Sequence, residues 1–128
     1  MSTAITYPKT SDTPTSHLPF SPAVRVGDLI FVSGQASVDA EGKIVPDTFE
    51  GEFRRSVENL RKVVEAAGSD LKHVVQTRNY VRDASDVARY NELYREYFSA
   101  PFPARTTITN CLPATLRFEI ECIAVALK

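Results

Sequence analysis

Apolar and polar positions near the amino-terminal end are arranged in a way that predicts a β-hairpin. Residues 23–26 and 29–32 are mostly apolar and β-branched, and the dipeptide Gly27-Asp28 between them is typical of a tight turn. We expect the second of these strands to close at Ser33-Gly34. Because 29–32 is apolar on both faces, this strand should be covered on both sides.

Four further segments have the composition of strands. A short one is expected at about 4–7, and the stretch 8–22, rich in proline, serine and threonine, should form an ordered but irregular loop after it. The other three lie in the second half of the chain, at 73–81, 105–110 and 116–127.

Helical periodicity fills the long interval before the strand at 73–81. Asp47 is a candidate N-cap residue with Glu50 at the capping-box position, and Gly68 marks the end. Between these limits apolar residues recur at helical spacing, at Phe49, Phe53, Val57, Leu60, Val63, Val64 and Ala67. The pattern predicts one long helix.

A second, shorter helix should follow the strand at 73–81. Either Asp83 or Ser85 is expected to cap it, and Pro101 and Pro103 stop it. Its apolar and aromatic positions are Val87, Tyr90, Leu93, Tyr94, Tyr97 and Phe98. The tyrosines in this stripe are more typical of packing against a core than of stacking on nucleic-acid bases.

Two helices cover only one face of a sheet of this width, and the last strand indicates what the other face does. On that strand, the face expected to lie away from the helices begins charged, at Glu119 and Glu121, and becomes apolar at Ile123 and Val125. The face expected to meet the helices carries Phe118, Ile120, Cys122, Ala124 and Ala126. We therefore expect the uncovered face to pack against other copies of the chain in a symmetric oligomer.

Composition adds limits on size and partners. The 128 residues are enough for a single domain, 1–128. Hydrophobic residues make up 43% and charged residues 24%, and a formal net charge of -1 offers no basic surface for nucleic acid. The amino terminus has no basic start followed by an apolar run, and no segment reaches the roughly 20 apolar residues that a membrane helix needs. We expect a cytoplasmic protein that binds neither nucleic acid nor a membrane.

Residues that commonly hold cofactors are scarce. Cys111 and Cys122 are not in a CxxC arrangement, and without an export signal we expect both to be reduced thiols. His17 and His73 add no cluster at metal-ligand spacing. The five glycines form neither a GxGxxG motif nor a phosphate-binding loop. We therefore expect neither a metal ion nor a cofactor.

A buried-looking arginine and two glutamates near the end of the chain are the best candidates for chemistry. Arg105 follows Pro103-Ala104, and Glu119 and Glu121 lie on what we expect to be a neighbouring strand. A guanidinium can grip a carboxylate in two places, and a glutamate can position or deprotonate a water molecule. The same residues are also consistent with an ordinary cross-strand ion pair, and the pattern alone does not decide between the two.

Six short stretches resemble, in the right order, the RidA/YjgF family of small enamine and imine deaminases. They are PFSPAV at 19–24, FVSGQ at 31–35, ENL with EAAG at 58–68, NELY at 91–94, PARTT at 103–107 and FEIECIA at 118–124. A single stretch of this kind is common, but the ordered set spans nearly the whole chain and is specific.

The resemblance implies a chorismate-mutase-like α+β fold, with a mixed six-stranded sheet and two helices packed on one face. Three copies would assemble as a homotrimer with a central barrel and with clefts between subunits. The implied activity is hydrolysis of 2-aminoacrylate and related 2-imino acids to 2-keto acids and ammonia, without a cofactor.

Other functions stay open under the same resemblance. One is a deaminase of a larger substrate such as 2-aminomuconate, and another is a non-catalytic trimer that binds small acids or acts as a chaperone. A third is an endoribonuclease, against which the net charge and the lack of a histidine near Arg105 both argue.

The resemblance also implies roles for individual residues. The arginine that binds the substrate carboxylate maps onto Arg105, and the glutamate that positions the water maps onto Glu121, favoured over Glu119. Further residues of the implied pocket are Ser33, Gly34, Thr107, Phe20 and Asn91.

Two of these positions depart from the usual family residues. Phe20 stands where a tyrosine is common, and Thr107 stands where a cysteine is common. The segment 105–113 is also one residue shorter than usual. These departures bear on the choice of substrate more than on the reaction.

Overall fold

The computed structural model describes residues 4–128 and contains all the predicted strands and helices. Short 3-10 turns at Leu71–His73 and Ala84–Asp86 lead into the fourth strand and the second helix. In chain order the elements are β1 Ile5–Thr6, β2 Ala23–Val26, β3 Leu29–Ala36, α1 Phe49–Ala66, β4 Val74–Val81, α2 Val87–Tyr97, β5 Ala104–Thr109 and β6 Phe118–Val125.

The strands form one mixed sheet in the order β1-β2-β3-β6-β4-β5. All neighbours are antiparallel except β4 and β5, which are parallel. The last strand, β6, therefore lies in the middle of the sheet, between β3 and β4. This order contradicts the expectation that Arg105 and the two glutamates lie on neighbouring strands, because β4 separates β5 from β6.

Both helices pack on one face of the sheet, as predicted. Along β6, buried and partly exposed residues alternate, so that Phe118, Ile120 and Cys122 face the helices and Glu119 and Glu121 do not. Phe118 and Phe53 of α1 are fully buried, with ring centroids 4.7 Å apart. Burying a side chain of this size contributes about 1.5–3 kcal/mol, which fixes α1 and β6 relative to each other.

The start of α1 differs from the prediction. The N-cap residue is Thr48, whose hydroxyl accepts a hydrogen bond from the backbone N–H of Gly51 at 3.1 Å. Asp47 instead lies beside Arg55, and Glu50 pairs with Arg54 at 3.1 Å. The predicted capping box is wrong because the helix begins one residue later, which places a glycine at the position where the box needs a glutamate.

The start of α2 also differs, since neither predicted residue caps it. Asp83 precedes the 3-10 turn and Ser85 lies within it, and the N-cap position of α2 is Asp86. None of these side chains makes a capping hydrogen bond. The 3-10 turn at Ala84–Asp86 continues directly into α2, so the spacing of apolar residues does not separate the two segments.

The strand β3 runs further than the Ser33-Gly34 close that we expected, and it ends at Ala36. Its pairing with β6 shifts between Val32 and Gln35, so Ser33 and Gly34 form an irregular step within the strand rather than its end. A bulge of this kind re-aims the side chains on either side of it.

No helix or strand in residues 4–128 covers the second face of the sheet. This face exposes a row of large apolar side chains, including Leu29 and Phe31 of β3, which are 47% and 42% exposed. In the same part of the chain, neither helix is both long and apolar enough to span a bilayer.

Candidate active site

Arg105 projects from β5 toward the helices. Its register partner on β4 is Thr77, which is fully buried and whose hydroxyl lies 2.8 Å from the hydroxyl of Tyr94 on α2. The guanidinium carbon of Arg105 lies 5.0 Å from the ring centroid of Tyr90 and 4.9 Å from that of Tyr94. Contrary to the buried position that we expected, Arg105 is exposed in the single chain.

The two tyrosine rings that support Arg105 are themselves held in place. The hydroxyl of Tyr90 lies 2.8 Å from that of Thr107, two residues beyond Arg105 on the same strand. Burial raises the pKa of Tyr90 to about 12 and also raises the pKa of Tyr94. Both rings are therefore neutral at physiological pH, and each presents its electron-rich face to the cation.

Arg105 makes no ion pair within residues 4–128. The cross-strand pair that was the alternative interpretation does form, but with a different arginine: Arg78 of β4 lies 3.6 Å from Glu121. A guanidinium backed by aromatic rings and left without a carboxylate has donors free and is suited to binding an external anion.

Arg105 lines an open cleft of about 210 Å³. Asn91, which the resemblance placed in the pocket, lies in the same cleft. The complete lining is Asn91, Tyr94, Arg95, Phe102, Pro103 and Arg105. It contains no acidic side chain, so its charge is positive, and its remaining walls are largely aromatic or apolar.

Glu121 lies on the opposite, open face of the sheet. Its carboxylate accepts a hydrogen bond from the hydroxyl of Tyr80 at 2.5 Å, and this bond is the main reason that the pKa of Tyr80 is raised to about 12. Together with Arg78, Glu121 borders a shallow depression of about 90 Å³ that also contains Phe31 and Ile123. Both oxygens of Glu121 therefore have partners within the chain.

Glu119 lies on the same face, beside the irregular step in β3. A Cβ atom added to Gly34 would lie 2.6 Å from Oε2 of Glu119, so the carboxylate occupies the space that the glycine leaves. Burial, and secondly the charge of Glu121, raise the pKa of Glu119 above its usual value of 4.5. A carboxyl group with a raised pKa beside exposed backbone is suited to taking up and releasing protons.

Ser33, adjacent to Gly34, does not resemble a nucleophile. Its hydroxyl donates to the backbone carbonyl of Ser21 at 2.5 Å, which ties β3 to the amino-terminal loop. Phe20 lies in that loop, where it borders a groove of about 640 Å³ together with Tyr7 and Pro22.

The predicted site residues therefore fall into separate groups within one chain. Arg105, Asn91 and Thr107 are on the helix side of β5, whereas Glu119, Glu121 and Gly34 are on the open face, and Phe20 is in the loop. Thr77 is the register partner of both Arg105 on β5 and Cys122 on β6. Cys122 is buried on the helix face, so the register places Arg105 on that face as well. A small ligand cannot touch Arg105 and either glutamate of the same chain.

Sequence reasoning missed the support that Tyr90 and Tyr94 give to Arg105. Their helical spacing was visible, and packing was the role predicted for them. Their position under Arg105 depends on β5 being the edge strand beside α2, which the spacing of residues along the chain does not reveal.

Comparison with family models identifies one match. Residues 10–126 match the model described as "Endoribonuclease L-PSP". This match covers nearly all of the chain, including both faces of the sheet on which the candidate site residues lie.

Individual relatives agree with the family match. A RutC family protein of Pyrococcus abyssi is 40% identical over 108 residues, covering 83% of this chain and 85% of that protein. The mouse 2-iminobutanoate/2-iminopropanoate deaminase is 37% identical over 118 residues, covering 91% of this chain and 87% of the mouse protein. Among solved structures, RidA from an Antarctic Psychrobacter species superimposes with a TM-score of 0.86 at 32% identity, covering 94% of this chain and 98% of that one.

Proposed function

Because the chain belongs to the endoribonuclease L-PSP family, also known as the RidA/YjgF family, we propose that it hydrolyses 2-imino acids to 2-keto acids and ammonia. Substrates of the 2-iminopropanoate type, and their enamine tautomers such as 2-aminoacrylate, fit this activity. The observation that carries the proposal is the unpaired guanidinium of Arg105 in an open, acid-free cleft. The name of the mouse relative supports the same reaction class.

The site is assembled between copies of the chain. Arg105 and the glutamates project from opposite faces of one sheet, so a cleft containing both requires the helix side of β5 from one copy and the open face from another. The strand β5 is at the edge of the sheet, and the open face is rich in exposed apolar side chains. Both features favour packing between copies, and a homotrimer with a central barrel of sheets is the arrangement that we propose.

Arg105 binds and orients the substrate. Its planar guanidinium donates two parallel hydrogen bonds to the carboxylate of the imino acid, while the rings of Tyr90 and Tyr94 hold the guanidinium plane in position. Asn91 is close enough to the cleft to contribute its side-chain amide. The group that reacts is the adjacent C=N carbon, which is electrophilic once the nitrogen is protonated.

Glu119 of the neighbouring copy positions the attacking water. We assign it this role in place of Glu121, because both oxygens of Glu121 are engaged by Tyr80 and Arg78 whereas Glu119 lies beside the exposed backbone of Gly34. Its raised pKa also suits it to accept a proton and return it. The backbone of Ser33 and Gly34 lines this part of the cleft.

The chemical steps balance without a cofactor. The water oxygen bonds to C2 as Glu119 takes one of its protons, and the C=N bond becomes a C–N single bond. Glu119 returns the proton to the nitrogen, ammonia leaves as the C=O bond forms, and the remaining hydroxyl proton passes to Glu119, which replaces the proton that had activated the imine nitrogen. One water is consumed and one ammonia released, and no atom is oxidised or reduced overall.

Phe20 and Thr107 are proposed to shape the pocket rather than to react. Phe20 is half-exposed on the loop that Ser33 anchors, so its ring is available to a ligand between copies. The hydroxyl of Thr107 is occupied by Tyr90, which leaves its backbone for the substrate. A ribonuclease gains no support, because His17 lies in the exposed loop and His73 is bonded to Asp70, and neither lines the Arg105 cleft.

The direct test is hydrolysis of an imino acid generated in situ. Oxidation of alanine by an amino-acid oxidase produces 2-iminopropanoate, and release of pyruvate and ammonia is followed with and without the protein. We expect the protein to accelerate release above the spontaneous rate and Arg105→Ala to remove the effect, while Arg89→Ala, on the same helix side but outside the cleft, retains it. Equal rates for the wild-type protein and Arg105→Ala would overturn the proposal.

A further inference from the structure

A second arginine lines the cleft that holds Arg105. Arg95 lies on α2 one turn after Asn91, and its guanidinium donates to the backbone carbonyl of Asn91 at 3.3 Å. Both residues border the same cleft as Arg105. The proposed mechanism uses Arg105 and leaves Arg95 without a role.

The acidic residues of α2 do not neutralise Arg95. Glu92 pairs with Arg89 at 3.6 Å, and Glu96 pairs with Arg54 of α1 at 3.1 Å. Within residues 4–128 no carboxylate lies within 4.0 Å of Arg95, and none lines the cleft. Two guanidinium groups in one cleft repel each other, and a ligand that carries two negative charges relieves that repulsion.

We propose that the preferred substrates are 2-imino acids with a second carboxylate, whose distal carboxylate is bound by Arg95 while Arg105 binds the one next to the imine. This inference rests on the proposed function and names its substrate class. The carbon chain of a four- or five-carbon dicarboxylic acid would lie against the aromatic and proline side chains of the lining, Tyr94, Phe102 and Pro103. The cleft, at about 210 Å³, has room for an acid of that length.

The geometry distinguishes the roles of the two arginines. Arg105 lies against two tyrosine rings, which suits a group that must orient the reacting carbon. Within residues 4–128, the Arg95 side chain donates only to the backbone of its own helix, and it is exposed, so it is free to adapt to chains of different length. Arg95 is therefore a specificity residue, and its removal should affect binding of one substrate class rather than the chemistry.

The experiment compares two imino acids in three proteins. Aspartate or glutamate, oxidised in situ, supplies the dicarboxylic imino acid, and leucine supplies a monocarboxylic one of similar length. Wild-type protein, Arg95→Gln and Arg89→Gln are assayed with both, and the Arg89 variant removes the same charge from the same helix outside the cleft. We expect Arg95→Gln to lower kcat/KM about tenfold for the dicarboxylic substrate, through KM, with less than about a twofold change for the other. Arg95→Lys should restore part of the loss.

A binding measurement separates this inference from the proposed function. Succinate and butanoate are inert probes that differ by one carboxylate, and their affinities are measured by calorimetry in the same three proteins. Tighter binding of succinate that is lost in Arg95→Gln supports the subsite even if no imine is hydrolysed, in which case only the proposed function fails. Equal affinities for the two acids, or an equal effect of Arg95→Gln on both substrates, would overturn the inference while leaving deaminase activity intact.

Discussion

The carboxylate of Glu119 lies over the backbone of Gly34, in the space that any larger residue at position 34 would fill. A Cβ atom at Gly34 would lie 2.6 Å from Oε2 of Glu119. Glu119 is opposite Ala36 in the register of β6 and β3, and the irregular step at Ser33-Gly34 brings the glycine beneath it. Glycine suits position 34 because a larger residue would collide with the Glu119 carboxylate, and its backbone conformation does not itself require glycine.

Substitution of Gly34 tests this relationship. Gly34→Ala should displace the end of a flexible side chain and leave the fold almost unchanged, with a stability change below about 1 kcal/mol. A carboxylate moved by an ångström loses its hold on the water, so kcat should fall about 10- to 100-fold. Steady-state kinetics and thermal unfolding measure the two effects.

Gly51→Ala is the matched control for that substitution. A Cβ atom at Gly51 also meets a carboxylate, that of Asp47, but in the first turn of α1 and away from the cleft. It should leave kcat unchanged. Wild-type kcat in Gly34→Ala would show that the position of the Glu119 carboxylate does not matter for turnover.

The ring of Tyr94, rather than its hydroxyl, should matter for substrate binding. Tyr94→Phe keeps the aromatic face beneath Arg105 and loses only the hydrogen bond to Thr77, so KM should be unchanged and stability should fall by about 1 kcal/mol. Tyr94→Leu removes the cation–π contact and should raise KM about two- to fivefold. An equal rise of KM in both variants would assign the effect to the hydroxyl instead.

The pH dependence of kcat/KM should report the ionisation of Glu119. The carboxylate form accepts the proton, so activity should be lost as the pH falls through a pKa that burial and Glu121 hold above 4.5. Glu121→Gln removes the second cause, so the pKa of Glu119 should fall and the acid limb should move to lower pH. Glu58→Gln, an exposed carboxylate on α1, serves as the control. A limb that stays in place or moves upward in Glu121→Gln would contradict the assignment.

Much of the fold could be predicted because local patterns determine it. The alternation along β6 correctly separated Phe118 and Ile120 from Glu119 and Glu121, since a period of two assigns faces whatever the neighbouring strands are. The Gly27-Asp28 turn and the long periodic run of α1 were equally local signals. Thr48 was missed as the N-cap because Asp47 is as good a candidate by residue type, and only the backbone shows which one begins the helix.

The composition of the site was less predictable because it depends on strand order. Chain order places β5 and β6 together, but β4 lies between them, so Arg105 and Glu121 were expected to be closer than they are. The preference for Glu121 over Glu119 was based on the stretch 118–121, where each glutamate follows an apolar residue and nothing local distinguishes the two. Their difference in environment comes from Gly34, Tyr80 and Arg78, which lie on two other strands.

The open face should hold the oligomer together. Phe31→Asp places a charge in the apolar part of that face and should yield monomers that are folded but inactive, because the proposed site needs two copies. Ile44→Asp is a matched control, since Ile44 is 43% exposed and Phe31 is 42% exposed, but Ile44 lies in the loop before α1. Light scattering after size exclusion measures the mass of each. A trimeric Phe31→Asp protein would place the interface elsewhere.

A mixed oligomer of two inactive variants tests the central claim most directly. Arg105→Ala and Glu119→Gln, each inactive alone, are expressed together with different tags, and assemblies carrying both tags are purified and assayed for 2-imino acid hydrolysis. If each site takes Arg105 from one copy and Glu119 from the next, every mixed trimer contains one intact site, so the purified assemblies should have about a third of the wild-type number of sites. Mixed assemblies that are as inactive as the separate variants would contradict a site shared between copies.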